Sequence, residues 1–182
     1  LKTAGWLEAM RLAHKHGLAT SASMVIGFGE TYAQRVNHLL RLRDLQDESL
    51  AKHGNGFTAF ISWTAQLDTV PMSGLVRRKG LRPAGAQEYL RNVAVARLFL
   101  DNFRHHGASW PTQGVAIAQV ALNAGCDDYG STMMEENVVS QAGTSTMSSI
   151  IVEEMQVQIR EAGFVPAQRD TRYRILKRAE VE

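Results

Sequence analysis

Residues able to do chemistry gather in four short stretches of this chain. They are Gly27-Phe28-Gly29-Glu30-Thr31, Ser62-Trp63-Thr64-Ala65-Gln66, Ser109-Trp110-Pro111-Thr112-Gln113 and Gly130-Ser131-Thr132-Met133-Met134-Glu135-Glu136-Asn137. Each follows a run of apolar or small residues that reads as a strand. In the first, the run Ala22 to Ile26 stops at glycine, and a carboxylate and a hydroxyl follow at once. Glycine there lets backbone approach a ligand closely. Two stretches carry Ser-Trp with Gln three residues after the Trp. A large planar ring beside an amide suits a ligand with an aromatic base and hydroxyls. Each feature also has a plainer reading. Trp63 and Trp110 can plug the fold as packing. Glu30 can bind a ligand ammonium or hydroxyl, or sit in a first helical turn where the macrodipole favours it. Glu135-Glu136 can be only a helix start.

Other chemistries lack their residues. The six histidines form no metal set: His14 and His16 flank a helix end, His38 lies mid-helix, His53 is in a turn, and His105-His106 read as a helix-to-strand loop. Cys126 is the only cysteine, so the sequence holds neither an internal disulfide nor the thiolates of an iron–sulfur cluster. It reads as a small buried residue in a protein of the reducing cytoplasm. No G-x-S-x-G elbow and no P-loop is present. Arg77-Arg78-Lys79 reads as a solvated face, or as a contact for a substrate carboxylate. The lysines fall in helices, loops or tails rather than at strand ends, which argues against a Schiff-base lyase or aldolase. A formal net charge of +2 does not point to nucleic acid or an anionic membrane. No apolar run approaches the ~20 residues that span a bilayer. The expected partner is therefore a small molecule. The start, Leu1-Lys2-Thr3-Ala4-Gly5-Trp6, has no signal-peptide core and no initiator Met, and the expectation is a segment of something longer.

The elements that must position these stretches alternate in type. Helical periodicity covers Trp6 to His16 and ends at Gly17; Ala19 to Ile26 reads as a strand. Thr31 caps a helix to about Asp47, and a turn at 53–56 leads into a strand from Phe57 to Trp63. Thr64 to Ala84 is long for a plain connection and reads as a functional loop. A helix over Ala86–Asn102, a strand end at Ala108-Ser109-Trp110, a helix over Gln113–Ala124 and a fourth short strand from Cys126 to Ser131 follow. Helices over 135–142 and 149–162 precede an extended segment, 164–176. The order is one helix, then βα four times. That predicts an α/β fold of parallel, right-handed βα units, half of a (β/α)8 TIM-type barrel, as one unit over 1–182 with a tail from about 164. Active faces in such arrays lie at the C-terminal strand ends, where the four polar stretches fall.

Taken together the segments resemble the futalosine-pathway family of radical S-adenosylmethionine (SAM) enzymes, cyclic dehypoxanthine futalosine synthase and its relatives. The stretch Ser23-Met24-Val25-Ile26-Gly27-Phe28-Gly29-Glu30 is similar to the G-x-I-x-G-x-x-E pattern of radical SAM enzymes. The carrying stretches also include Glu88-Tyr89-Leu90-Arg91-Asn92, Ala108-Ser109-Trp110-Pro111-Thr112-Gln113-Gly114 and, most specifically, Gly130-Ser131-Thr132-Met133-Met134-Glu135-Glu136-Asn137. The chain departs from the family in places: Ser23 and Val25 stand where G-x-I-x-G-x-x-E has Gly and Ile, Phe28 stands where Gly-His-x-Glu-Thr has His, and Ser62 and Leu67 stand where Pro-Trp-x-x-Gln-Pro has prolines. The resemblance implies the C-terminal half of the barrel, strands five to eight, with the cysteine loop of the [4Fe–4S] cluster in the other half. It implies a parent that uses SAM and the cluster to abstract a ribose hydrogen and close a ring in menaquinone biosynthesis, with neither group expected on this segment alone and no metal ligands in it. Aminofutalosine synthase and the deazaflavin-forming enzymes are alternatives, as is a non-catalytic half-barrel that pairs with another copy. The implied cofactor contacts are Val25, Gly27, Glu30 and Thr31. The implied contacts for a nucleoside-like substrate are Trp63, Gln66, Trp110, Gln113, Ser131, Thr132, Glu136 and Asn137.

Overall fold

Three parallel strands make the sheet on which the rest packs: β1 (Thr20–Ile26), β2 (Phe57–Thr64) and β3 (His105–Gly107), in that order. The computed structural model describes residues 2–67, 70–133 and 149–179. Registers run Ser23 to Ile61, Val25 to Trp63 and Ile26 to Thr64 across β1 and β2, and Ile61 to Gly107 across β2 and β3. Side chains alternate across a strand. Ala22, Met24 and Ile26 are therefore buried against helices, while Ser21, Ser23 and Val25 point to an exposed face that Trp63 shares.

Helices α1 (Thr3–Lys15) and α2 (Tyr32–His53) cover the buried face. A reciprocal capping box starts α2: Thr31 accepts from the Gln34 amide and the Gln34 side chain accepts from the Thr31 amide. The helix runs one to two turns past the expected end at Asp47. Leu42, Leu45, Gln46 and Ser49 continue its buried stripe, and Gly54 ends it at φ 62°. The polar members of the stripe are satisfied. Gln46 pairs with both the N–H and the C=O of Phe57, and Ser49 Oγ lies 2.8 Å from His14 Nδ1. Phe57 stacks between Trp6 and Phe103 at the centre of this core.

The loop expected over Thr64–Ala84 contains a helix, α3 (Val70–Lys79). Helix α4 (Ala86–Phe99) stops short of Asn102, because Leu100 leaves helical geometry and buries itself beside Phe103. The histidine pair is not a loop: it forms β3 with Gly107, where a Cβ would approach Ile61 Cγ1 to 3.1 Å. Ser109-Trp110 is not a strand end either. Pro111 cannot donate to a ladder and falls in the first turn of the short helix α5 (Trp110–Gln113), followed by α6 (Val115–Asn123). The fourth strand reduces, among the described residues, to one parallel bridge between Gly107 and Asp128. There the Asp128 carboxylate accepts from the Gly130 amide and turns the chain. Helix α7 (Val152–Glu161) packs on α6. The final extended segment is an antiparallel hairpin, β4 (Ala167–Arg169) and β5 (Ile175–Arg178). Its Arg169 pairs with Asp128 and its Tyr173 ring stacks on His105 at 4.0 Å. The architecture is mixed α/β on a parallel sheet; four complete βα units are not present among the described residues. None of their helices is long and apolar enough to cross a membrane.

Candidate functional site

The polar stretches meet because parallel strands end on the same side. The ends are stitched together by side chains and backbone. Ala65 N–H donates to the Ile26 carbonyl at 2.8 Å, joining the ends of β1 and β2. Gln113 Nε2 donates to Thr64 Oγ1 at 2.5 Å, joining the β2 end to α5. Gln66 Nε2 donates to the Thr64 carbonyl at 3.1 Å and reaches the Thr112 carbonyl at 3.5 Å. Trp110 Nε1 donates to the Ser131 carbonyl at 3.1 Å, joining α5 to the segment after Asp128. Thr64, Gln66, Thr112 and Gln113 line a cleft of about 210 Å³ together with Pro83, Ala84 and Ile117.

The β1 turn is held by its own carboxylate. Glu30 Oε1 accepts from the Gly27 amide at 2.9 Å and Oε2 from the Phe28 amide at 2.8 Å. Burial pushes the pKa of Glu30 up, but hydrogen bonds from the Gly27 amide and the Arg35 guanidinium outweigh it, so its carboxyl lies below the usual range. Glu30 precedes the Thr31 cap, so it is not a first-turn residue of α2. Gly27 and Gly29 have φ of 103° and 88°, and a Cβ on them would meet Ala84 N at 3.2 Å and Leu81 Cδ2 at 3.1 Å. The close approach these glycines permit is to the chain's own 81–84 segment.

The structure separates the residues singled out above. Gln66 and Gln113 share the cleft. Val25 and Trp63 are register partners on the open sheet face, 41% and 42% exposed. Thr31 is engaged as a cap. Trp110 is 1% exposed and packs against Ala118, Tyr129 and their neighbours, the plugging role, whereas Trp63 does not. Ser131 is exposed, and Thr132 borders a second cleft of about 370 Å³ with Met133 and Ile150. Glu136 and Asn137 lie outside the described residues, as does Glu135.

Three participants had no site role assigned from the sequence. Thr64 is the hydroxyl on which both glutamines converge. Tyr89, buried in α4, accepts the Ser109 amide on its hydroxyl at 3.0 Å. Arg35, 7% exposed, carries Glu30 and Glu88 together. The signal for Arg35 was there: a cation close to a helix N-terminus opposes the macrodipole and calls for an acidic partner. Among the described residues no three His, Cys, Asp or Glu side chains converge to hold a metal ion, so they do not fit a cluster site.

The family model for the CofH/MqnC C-terminal region matches residues 54–181. Cyclic dehypoxanthine futalosine synthase from Halalkalibacterium halodurans is 45% identical over 172 residues, 94% of this chain and 43% of that protein. Aminodeoxyfutalosine synthase from Thermus thermophilus is 40% identical over 170 residues, 93% of this chain and 44% of that protein. The 5-amino-6-(D-ribitylamino)uracil–L-tyrosine 4-hydroxyphenyl transferase from Methanosphaerula palustris is 40% identical over 175 residues, 95% of this chain and 46% of that protein. The chain thus spans less than half the length of these relatives.

Proposed function

We propose a function on one premise: this chain belongs to the CofH/MqnC C-terminal region family. It is the C-terminal half of a radical SAM barrel whose parent cyclises dehypoxanthine futalosine in menaquinone biosynthesis. The open sheet face, with Val25 and Trp63 exposed on it, is the barrel interior, which the other half or a second copy covers. Bound to the parent, SAM and a [4Fe–4S] cluster supply radical hydrogen abstraction. Cys126, the only cysteine of this sequence, cannot by itself hold such a cluster, so the other half of the parent would supply its thiolates.

The rest is the work of this chain's own side chains. Val25 offers an apolar surface to the adenine of SAM, the Gly27 turn, held by Glu30, presents backbone beside it, and Thr31, the cap of α2, follows on the same pocket. Gln66 and Gln113, fixed on Thr64, orient a nucleoside-like substrate in the rim cleft, and Trp63 stacks on its ring from the open face. Trp110 seals the rim behind them and excludes water. Ser131, Thr132, Glu136 and Asn137 complete the substrate contacts on the fourth stretch. The observation that carries this reading is the glutamine pair on one hydroxyl, in a cleft at the ends of parallel strands.

The test uses the full-length protein. Gln113→Ala raises KM for dehypoxanthine futalosine about tenfold, as expected for a lost substrate hydrogen bond. Glu136→Ala and Asn137→Ala abolish most turnover with the fold intact. Unchanged kinetics in all three removes this rim from the site. A second reading rests on the transferase from Methanosphaerula palustris, as similar to this chain as the aminodeoxyfutalosine synthase. Turnover of 5-amino-6-(D-ribitylamino)uracil with tyrosine, and none of the futalosine substrate, would establish it instead.

A further inference from the structure

We infer that Arg35 is a positioning residue for the cofactor turn, holding Glu30 against the Gly27 and Phe28 amides and tying that turn to helix α4. The inference rests on the reading of this turn as the SAM contact. Arg35 Nε donates to Glu30 Oε1 at 2.8 Å, and its Nη2 lies 2.6 Å from both Glu30 Oε1 and Glu88 Oε1. The Arg35 side chain is 8% exposed and those of Glu30 and Glu88 are 21% and 35% exposed, so solvent screens the three charges only in part. The Tyr32 ring, 5.3 Å from the guanidinium carbon, flanks the group.

Two carboxylates therefore meet on one nitrogen. Without the cation they face each other as like charges, and Glu30 loses the partner that aims it at the turn. The turn needs that aim. Its glycines stand at φ values of 103° and 88°, and the two amides it presents have Glu30 as their acceptor. Glu88 opens α4 directly after Ala84 and Ala86, which wall the substrate cleft. One guanidinium thus sets the turn that is read as holding the cofactor and fixes it to the wall of the cleft read as holding substrate. Arginine suits the task, because its rigid fork reaches two carboxylates at once where a lysine is a single point charge.

The test is a calorimetric titration of SAM into the full-length, cluster-reconstituted protein, reading both Kd and the number of sites. Arg35→Met weakens Kd at least about tenfold with the site number unchanged, as for loss of one member of a desolvated charge pair. Arg35→Lys recovers part of the affinity and carries the test if Arg35→Met fails to fold. A merely structural arginine gives the opposite pattern, fewer sites at the original Kd, and that result overturns the inference. SAM binding by the unaltered protein with the same Kd in both variants overturns the inference alone. No SAM binding by the unaltered protein overturns the underlying reading and the inference with it.

Discussion

Burial keeps the Cys126 thiol out of chemistry. It is 5% exposed, and burial first, then Asp127 and Asp128, push it up to about 12. A thiol that titrates there has almost no thiolate at neutral pH. Iodoacetamide at pH 8 leaves native Cys126 unmodified while the unfolded chain is alkylated; rapid labelling of the native protein would contradict this assignment. Trp110 makes the companion case for size. Trp110→Phe removes the indole donor to Ser131 and opens a gap beside Ala118, at a cost of about 2 kcal/mol in thermal unfolding. Gly27→Ala combines a positive φ with a 3.2 Å clash against the Ala84 amide, and the strain costs about 1–3 kcal/mol.

Elements show where local pattern sufficed and where it did not. Helix α2 was readable from Thr31 and its apolar stripe, but that stripe also takes in Gln46 and, beyond the expected end, Ser49, polar residues that sequence patterning places outside. They go inside because the Phe57 backbone and His14 satisfy them. Thr31→Ala removes the capping acceptor and destabilises the helix by about 1 kcal/mol in denaturant unfolding. The β1 strand ends where it was expected, at Ile26, since Gly27 breaks the run. Conversely β3 is built from His105, His106 and Gly107, residues of no strand pattern, because β2 offers an edge and Ile61 leaves room only for glycine. Local propensity lost there to the tertiary surroundings.

Across the whole molecule, the neutral His106 couples stability to pH. Its ring is 2% exposed and its Nε2 has no partner among the described residues. Burial first, then the Arg97 guanidinium, push it down to about 4, with Asp127 opposing. The folded value lies below the unfolded 6.5, so the unfolded chain binds the proton first. Stability is fully present above pH 6.5 and is lost as pH falls toward 4, by at most about 3 kcal/mol. His106→Leu flattens that limb of the stability–pH curve, and an unchanged limb would assign it to other groups.

Sequence alone determined the class of fold, the order of elements as far as β2, the polar rim and the family resemblance. These depend on neighbours along the chain: apolar period, caps, and the glycines that end strands. Only the tertiary structure decided that Glu30 serves its own turn through Arg35, that Trp110 is packing while Trp63 stays open, and that Gln66 and Gln113 meet on Thr64. The Glu30–Arg35 and Gln66–Thr64 contacts are local, but each is completed by a partner far along the chain, 53 residues from Arg35 to Glu88 and 49 from Thr64 to Gln113. No local preference encodes those distant partners, because burial and charge act through space and not along the chain.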